Sequence, residues 1–391
     1  MSSATTAPAQ AGANKNLHGP GSTIHVQTRN ERPASFNLSD FEPVTGREVD
    51  WKLTPVAALA DLLDATIDGA ELTIDSTSNG SASVSWVSMS NDAVGLAGVP
   101  EDRASSIAWS STENALLIDV SADDVSEVSV NRSGLGLAPR AAHTVIRVAP
   151  FAKTTVVLTS EGQASLSENV EIIAGESSQV TVISLQEWAS DSRHLATHFI
   201  RADKNASVTH TVVSLSGAIV RVNPQTRLAG EGSSVNMLGL YFADSGEHLE
   251  QQVFVNHEAA QTKSRVNYKG ALQGQGARTV WIGDVLIGPH AVGTDSYEQN
   301  RNLVLTEGTR ADSIPNLEIK TGDIAGAGHA SATGRFDDEQ LFYLQARGID
   351  EATARQLVVR GFLNEIVQQI PVASIAQRIE LALDRELEGI A

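Results

Sequence analysis

Cysteine is absent from the 391-residue chain. That excludes disulfides, zinc ribbons, a cysteine nucleophile and any cluster held wholly by thiolates of this chain. It also fits a reducing compartment. Aromatic residues make up only 5% of the sequence, so platforms for stacking bases or sugars are scarce. Basic residues are outnumbered, 28 Lys and Arg against 47 Asp and Glu, for a formal net charge of −19. Wrapping a nucleic acid backbone or binding an anionic membrane needs clustered positive charge, so neither is expected as a partner. No apolar run has the length of a transmembrane helix. The opening stretch MSSATTAPAQAGANKN lacks the apolar core of a secretory signal, and a cytoplasmic setting is expected. There is no GxxxxGK[ST] phosphate loop, no GxSxG elbow and no HExxH pair.

What is present changes character along the chain. Residues 1–35 are rich in Ser, Ala, Thr, Gly and Pro without periodicity and read as a disordered arm. In residues 36–70, Pro55 opens a helical segment with apolar positions Val56, Leu59, Leu62, Leu63 and Ile67, and Trp51 staples it to a core. Residues 71–336 are short β-branched runs broken by Gly, Asn, Asp and Ser; examples are Leu72 to Ile74, Val145 to Val148 and Thr154 to Leu158. A weak repeat runs through them. AKTTV ends at Val156, GESSQV at Val180, DKNASV at Val208 and GEGSSV at Val235. Each is a small polar turn followed by a strand onset. A period of roughly 24 to 28 residues suits one coil of a solenoid with several short strands, a parallel β-helix. A β-sandwich with evenly spaced turns is the alternative at this stage.

Residues 337–391 read as helices. Asp337 or Asp338 caps the first and Gly348 stops it; Asp350 caps the second, and Pro371 separates it from a third carrying Ile375, Ile379, Leu383 and Leu387. These stripes need a surface to cover: the solenoid end, a partner, or both. Between strands and helices lies IKTGDIAGAGHASATGRF, with one histidine, His329, among small residues that allow another backbone or an ion to come close. Neutral imidazole is a competent iron ligand, and mixed Cys/His ligation of [2Fe–2S] centres occurs. One histidine is too few for a stable site, so thiolates would have to come from a partner. Glu318 and Asp323 are candidate oxygen donors nearby in sequence. His248, His257 and His290 lack the spacing of a helical metal pair and read as packing or turn residues.

Four stretches carry a family resemblance. They are DWKLT at 50–54; HLEQQVFVNHEAAQTKSRVNYKGAL at 248–272, with His257, Thr262, Ser264, Lys269 and Gly270; PNLEI at 315–319 with the histidine segment after it; and EQLFYL followed by Arg347, Gly348 and Ile349, with Arg360, Gly361 and Phe362 beyond. Together they resemble the SufB/SufD family of the SUF iron–sulfur cluster assembly system, the SufD branch more closely than SufB. The chain departs from the family's Cys-x-His pattern: Ala327 stands at the cysteine position and His329 keeps the histidine.

The resemblance implies a mainly β fold, a right-handed parallel β-helix (solenoid) core flanked by N-terminal and C-terminal α-helical segments. It implies a non-catalytic scaffold that pairs with SufB through the β-helix and docks the SufC ATPase on its C-terminal helices. Leu357, Arg360, Phe362 and Ile366 are then the docking residues. His329 is implied as the ligand for iron or a transient Fe–S cluster at the SufB–SufD seam, with ATP bound by SufC and not by this chain. A homodimer is possible for the chain in isolation. The other reading of a β-helix is a carbohydrate-active enzyme, a polysaccharide lyase or hydrolase, for which the scarce aromatics and missing export signal are unfavourable.

Overall fold

The repeated small-polar turns mark one corner of a coil. Phe151, Ser177, Asn205, Gly232, Gln261 and Gly293 all have φ between 56° and 73°. The left-handed region is costly for most side chains, and here each strained residue is held the same way. Its N–H bonds to a carbonyl of the following coil: Ser177 to Lys204 (2.8 Å), Asn205 to Glu231 (2.9 Å) and Gln261 to Val292 (2.7 Å). This corner tightens the chain so that strands stack in register.

The structure, a computed structural model, describes residues 32–64, 67–122, 125–335 and 338–387; the expected disordered arm at 1–31 and the Asp337 cap lie outside them. In chain order the strands are β1 (Ile74–Ser78), β2 (Ser83–Ser88), β3 (Asn114–Val120), β4 (Val125–Ser133), β5 (Gly136–Val148), β6 (Lys153–Gly162), β7 (Ala164–Ala174), β8 (Gln179–Trp188) and β9 (Arg193–Ala202). They continue as β10 (Ser207–Ser216), β11 (Ile219–Leu228), β12 (Ser234–Ala243), β13 (His248–His257), β14 (Lys263–Leu272), β15 (Arg278–Ile287), β16 (Thr294–Val304), β17 (Arg310–Ile319) and β18 (Ile324–Arg335). Even-numbered strands from β4 onward stack into one sheet with β1 at its start, and odd-numbered strands with β2 into the other. Apart from antiparallel β1–β4 and β2–β3, every pairing is parallel. This is the expected β-solenoid, with the inner faces of both sheets forming one core.

The register corrects the repeat. Val180 is opposite Thr154, not Val156, which is opposite Val182. Matching valine to valine slips the first coil by two residues, which preserves the face and so goes unnoticed in sequence.

Each sheet is covered on its outer face by a different part of the chain. On the odd-strand sheet lie the N-terminal segment and a short helix, α1 (Arg103–Ser111). Trp51, Leu59 and Leu62 bury against Ala104, Leu195 and Ile219. The segment after Pro55 is a 3₁₀ helix, Val56–Leu62. Its apolar positions 56, 59 and 62 recur every three residues, the pitch of a 3₁₀ helix and not of an α-helix. The expected helical position Ile67 falls beyond it. Helix α1 lies within a region read as all strand. It is short, and much of its buried face is small: Ala104, Ser105, Ser106 and Ala108.

The C-terminal helices are α2 (Asp338–Gln345), α3 (Glu351–Val367) and α4 (Ala373–Leu387). Gly348 (φ 86°) follows α2, and the Asp350 carboxylate caps α3 by accepting from Thr353 N–H at 3.0 Å. Val359, Leu363, Ile366 and Val367 of α3, with Ile379 and Leu383 of α4, bury against Ile183, Val213, Leu238 and Leu240 on the outer face of the even-strand sheet. They cover the flank of the solenoid, not its end. No helix among the described residues is long and apolar enough to cross a membrane.

Candidate functional site

Because the strands stack in register, one position of each even strand forms a column down the solenoid interior. Val128, Val156, Val182, His210, Met237, Val266, Glu298 and His329 make one such column. The first seven are buried. His329 is in the same inward-facing column, yet its side chain is 42% exposed. The reason is position. β17 and β18 are the last strands of their sheets, so the end of the solenoid is uncovered among the described residues. The rim there carries Ala327, His329 and Ser331 on β18 and Ser313 on β17. The hydroxyls of Ser313 and Ser331 meet across the two sheets at 2.8 Å.

The carboxylate brought to His329 is neither Glu318 nor Asp323. Glu318 pairs with Lys320 at 3.2 Å. It is Glu298, one coil earlier and directly beneath, with Oε1 3.8 Å from His329 Nδ1. Glu298 is 1% exposed, and both of its oxygens lack a hydrogen-bond partner among the described residues. Burial, reinforced by the nearby charge of Asp284, pushes its pKa up to about 8. Trp281 Nε1 and Tyr268 Oη are among the other buried polar atoms of these terminal coils without a partner among the described residues. Gly283 makes the room: a Cβ there would stand 2.4 Å from Glu298 Oε2 and 2.3 Å from the Trp281 ring. By contrast, the next polar layer is satisfied. Tyr241 Oη donates to Asn302 Oδ1 at 2.6 Å and accepts from Asn300 Nδ2 at 2.7 Å.

No three His, Asp or Glu residues among those described converge to hold a metal ion. Among the described residues the rim presents one exposed imidazole, His329.

A family model for the "SUF system FeS cluster assembly, SufBD core domain" matches residues 131–362. The chain belongs to the SufBD family. It is 43% identical over 383 residues to an iron–sulfur cluster assembly SufBD family protein of Mycobacterium bovis, covering 94% of this chain and 96% of that protein. It is 29% identical to the iron–sulfur cluster assembly protein SufD of Escherichia coli over 198 residues, 51% of this chain and 46% of that one. A second SufBD family protein, from Mycobacterium leprae, aligns over 220 residues at 27% identity, 56% of this chain but only 25% of its own length.

The SufBD resemblance of the N-terminal DWKLT motif acquires a physical meaning. Trp51 stacks under the Arg221 guanidinium (3.9 Å to the ring centroid), and Thr54 Oγ1 donates to Glu250 Oε2 at 2.9 Å. Glu250 also accepts from Arg221 Nε (3.0 Å) and Gln252 Nε2 (2.7 Å) and faces His248 Nε2 at 2.9 Å. Burial alone would raise the Glu250 pKa; the His248 hydrogen bond and the Arg221 charge outweigh it and bring it down to about 2. Two motifs far apart in sequence are thus one buried lock. Glu250 and Arg221 were not singled out from sequence, since strand positions of this type usually face solvent.

His257 sits between Thr262 Oγ1 (2.8 Å) and Ser264 Oγ (2.9 Å), and His290 is exposed in a turn. Lys269 bonds the Phe362 carbonyl (3.0 Å), lies over the Phe362 ring and pairs with Glu365, fastening α3 to β14. Of the expected docking residues, Ile366 is fully buried within the chain and Phe362 is partly buried over Lys269. Leu357 and Arg360 face outward, joined by exposed Phe342, Tyr343 and Leu381.

Proposed function

We propose that this SufBD family member is a non-catalytic scaffold subunit for iron–sulfur cluster assembly. It pairs through the open end of its solenoid with a cysteine-bearing paralogue of the SufB type. The observation that carries this reading is the inward-facing His329 at an uncovered solenoid end, in a chain without cysteine. A half-exposed imidazole on that rim supplies one nitrogen to a nascent cluster or to iron, and the partner supplies thiolate sulfur. The outer edges of β17 and β18, which pair with no further strand among the described residues, present backbone groups that another strand can take up. The similarity to two SufBD proteins within M. leprae, one nearly full-length and one over a quarter of its length, agrees with a division of labour between paralogues.

The C-terminal helices dock a SufC-type ATPase in this reading. Exposed Phe342, Tyr343, Leu357 and Leu381 supply apolar contacts and Arg360 a charged rim. Because Ile366 is used within the chain, docking falls to the outward face of α3 and α4. The setting is cytoplasmic, where free thiols of the partner stay reduced.

The test is reconstitution of the three-protein complex with His329→Ala. Cluster yield, followed by visible absorbance under anaerobic conditions, is expected to fall at least tenfold while the complex still assembles. A wild-type yield would remove His329 from the site.

A further inference from the structure

A carboxyl group without a hydrogen-bond partner is an unusual thing to keep inside a solenoid. Glu298 costs stability where a leucine would not, since a buried unsatisfied polar group forfeits its hydration. The valines of the same column, Val182 and Val266, show that the position accepts apolar residues. Each buried orphan calls for an explanation. Among the described residues, the side chain with a proton to give that comes nearest in an ion-pair contact is His329, and the approach is through a particular atom: Oε1 stands 3.8 Å from Nδ1. Nδ1 is the ring nitrogen on the Glu298 side, which leaves Nε2 as the other donor atom of the imidazole.

The geometry points to Glu298 as the positioning residue for His329: its carboxyl group accepts a hydrogen bond from Nδ1–H when Nε2 takes a metal, and so fixes both the orientation and the donor atom of the imidazole. A histidine bound to a metal through one nitrogen must place the proton on the other, and a carboxylate is its usual acceptor. At 3.8 Å the contact is too long for a hydrogen bond; a small rotation of the ring closes it, as such contacts tighten on loading. Gly283 leaves the carboxyl group space to follow. The inference rests on His329 being a ligand, and it assigns no contact between Glu298 and iron or cluster.

The test compares Glu298→Leu, which removes the acceptor, with Glu298→Gln, which keeps an oxygen of the same reach. Each is made alone and with His329→Ala in the reconstituted complex. Two readouts are taken: affinity for cobalt(II) from its d–d absorption in the absence of sulfide, and cluster yield. Glu298→Leu should weaken cobalt binding about 10- to 100-fold and lower the yield in step. Glu298→Gln should stay within about threefold of wild type. In the His329→Ala background Glu298→Leu should change nothing further, because the two act as one unit. The melting temperature of Glu298→Leu should equal or exceed wild type, which separates lost positioning from lost fold. Wild-type affinity and yield in Glu298→Leu, with His329→Ala still defective, would overturn the role of Glu298 alone. An additive loss in the double variant would also overturn it. Wild-type behaviour of His329→Ala would instead overturn the ligand assignment on which the inference stands.

Discussion

Replacing Glu250 by alanine should release the N-terminal segment from the solenoid while leaving the rest of the coil stack intact. Glu250 is fully buried and receives Thr54, Arg221, His248 and Gln252 on its two oxygens. Removing one partner of a buried ion pair typically costs about 3–5 kcal/mol, because the other charge is left unpaired in a dry site. Arg221 would keep Asp102 Oδ2 at 3.1 Å and the Asp50 carbonyl at 3.2 Å, which favours the lower end, about 3 kcal/mol. The chain has a local way to relieve that cost. Trp51 forms the lid over the guanidinium, so lifting residues around it rehydrates Arg221 without opening a strand pair. At about 1.4 kcal/mol per decade, the opening equilibrium of this segment should rise at least 100-fold. Hydrogen exchange by mass spectrometry reads this directly. Peptides containing Trp51 and Thr54, whose amides bond to Glu48 and Trp51 carbonyls, should lose protection by about that factor. Peptides from β12 and β14 should not change. Protection of the segment within threefold of wild type would refute the lock, as would uniform softening of the whole solenoid.

Acid should act on the same lock. Glu250 titrates at about 2 in the folded chain against an ordinary 4.5, so its contribution is complete above about 4.5 and is lost as pH falls toward about 2; exchange of the Trp51 segment followed from pH 5 to pH 2 checks the window. Burial holds His257 down to about 4 against 6.5, so the unfolded chain takes up the proton first; melting temperature should fall from pH 6.5 to pH 4, and less steeply in His257→Gln. Gly270→Ala should cost about 1–3 kcal/mol by overpacking, since its Cβ would lie 1.8 Å from the Tyr241 ring while Asn300 and Asn302 tether the Tyr241 hydroxyl; an unchanged melting temperature would contradict this.

The solenoid was legible because its corners recur. Four small-polar turns, each ending in a strand onset, reported a backbone conformation that most residues avoid. The lengths between them did not report the register. Successive members of the column from Ser126 through Thr154, Val180, Val208, Val235, Ser264 and Ser296 to Ala327 are separated unevenly, and the last coils are the longest. For that reason His329 could be picked out as a lone imidazole, while Glu298 could not be placed beneath it. The neighbours in sequence, Glu318 and Asp323, drew attention because chain proximity is visible and stacking across a coil is not. Ile366 was assigned to a partner for a related reason: an apolar stripe on a helix states that something covers it, not whether the cover is the same chain. The lock escaped notice because its two halves are separated by some 200 residues and meet only once the coils are counted.

The bare end of the solenoid ties the stability of its final strands to mass action. Among the described residues β18 has a strand neighbour on one side only, and most of its own residues are exposed. Whatever strand pairs with it stabilises it by a term that grows with concentration, about 2.7 kcal/mol when the ligand stands at a hundred times its dissociation constant. The protection of β18 amides is therefore a gauge of occupancy. In a mixture it reports what fraction of subunits is engaged, without any label on the partner.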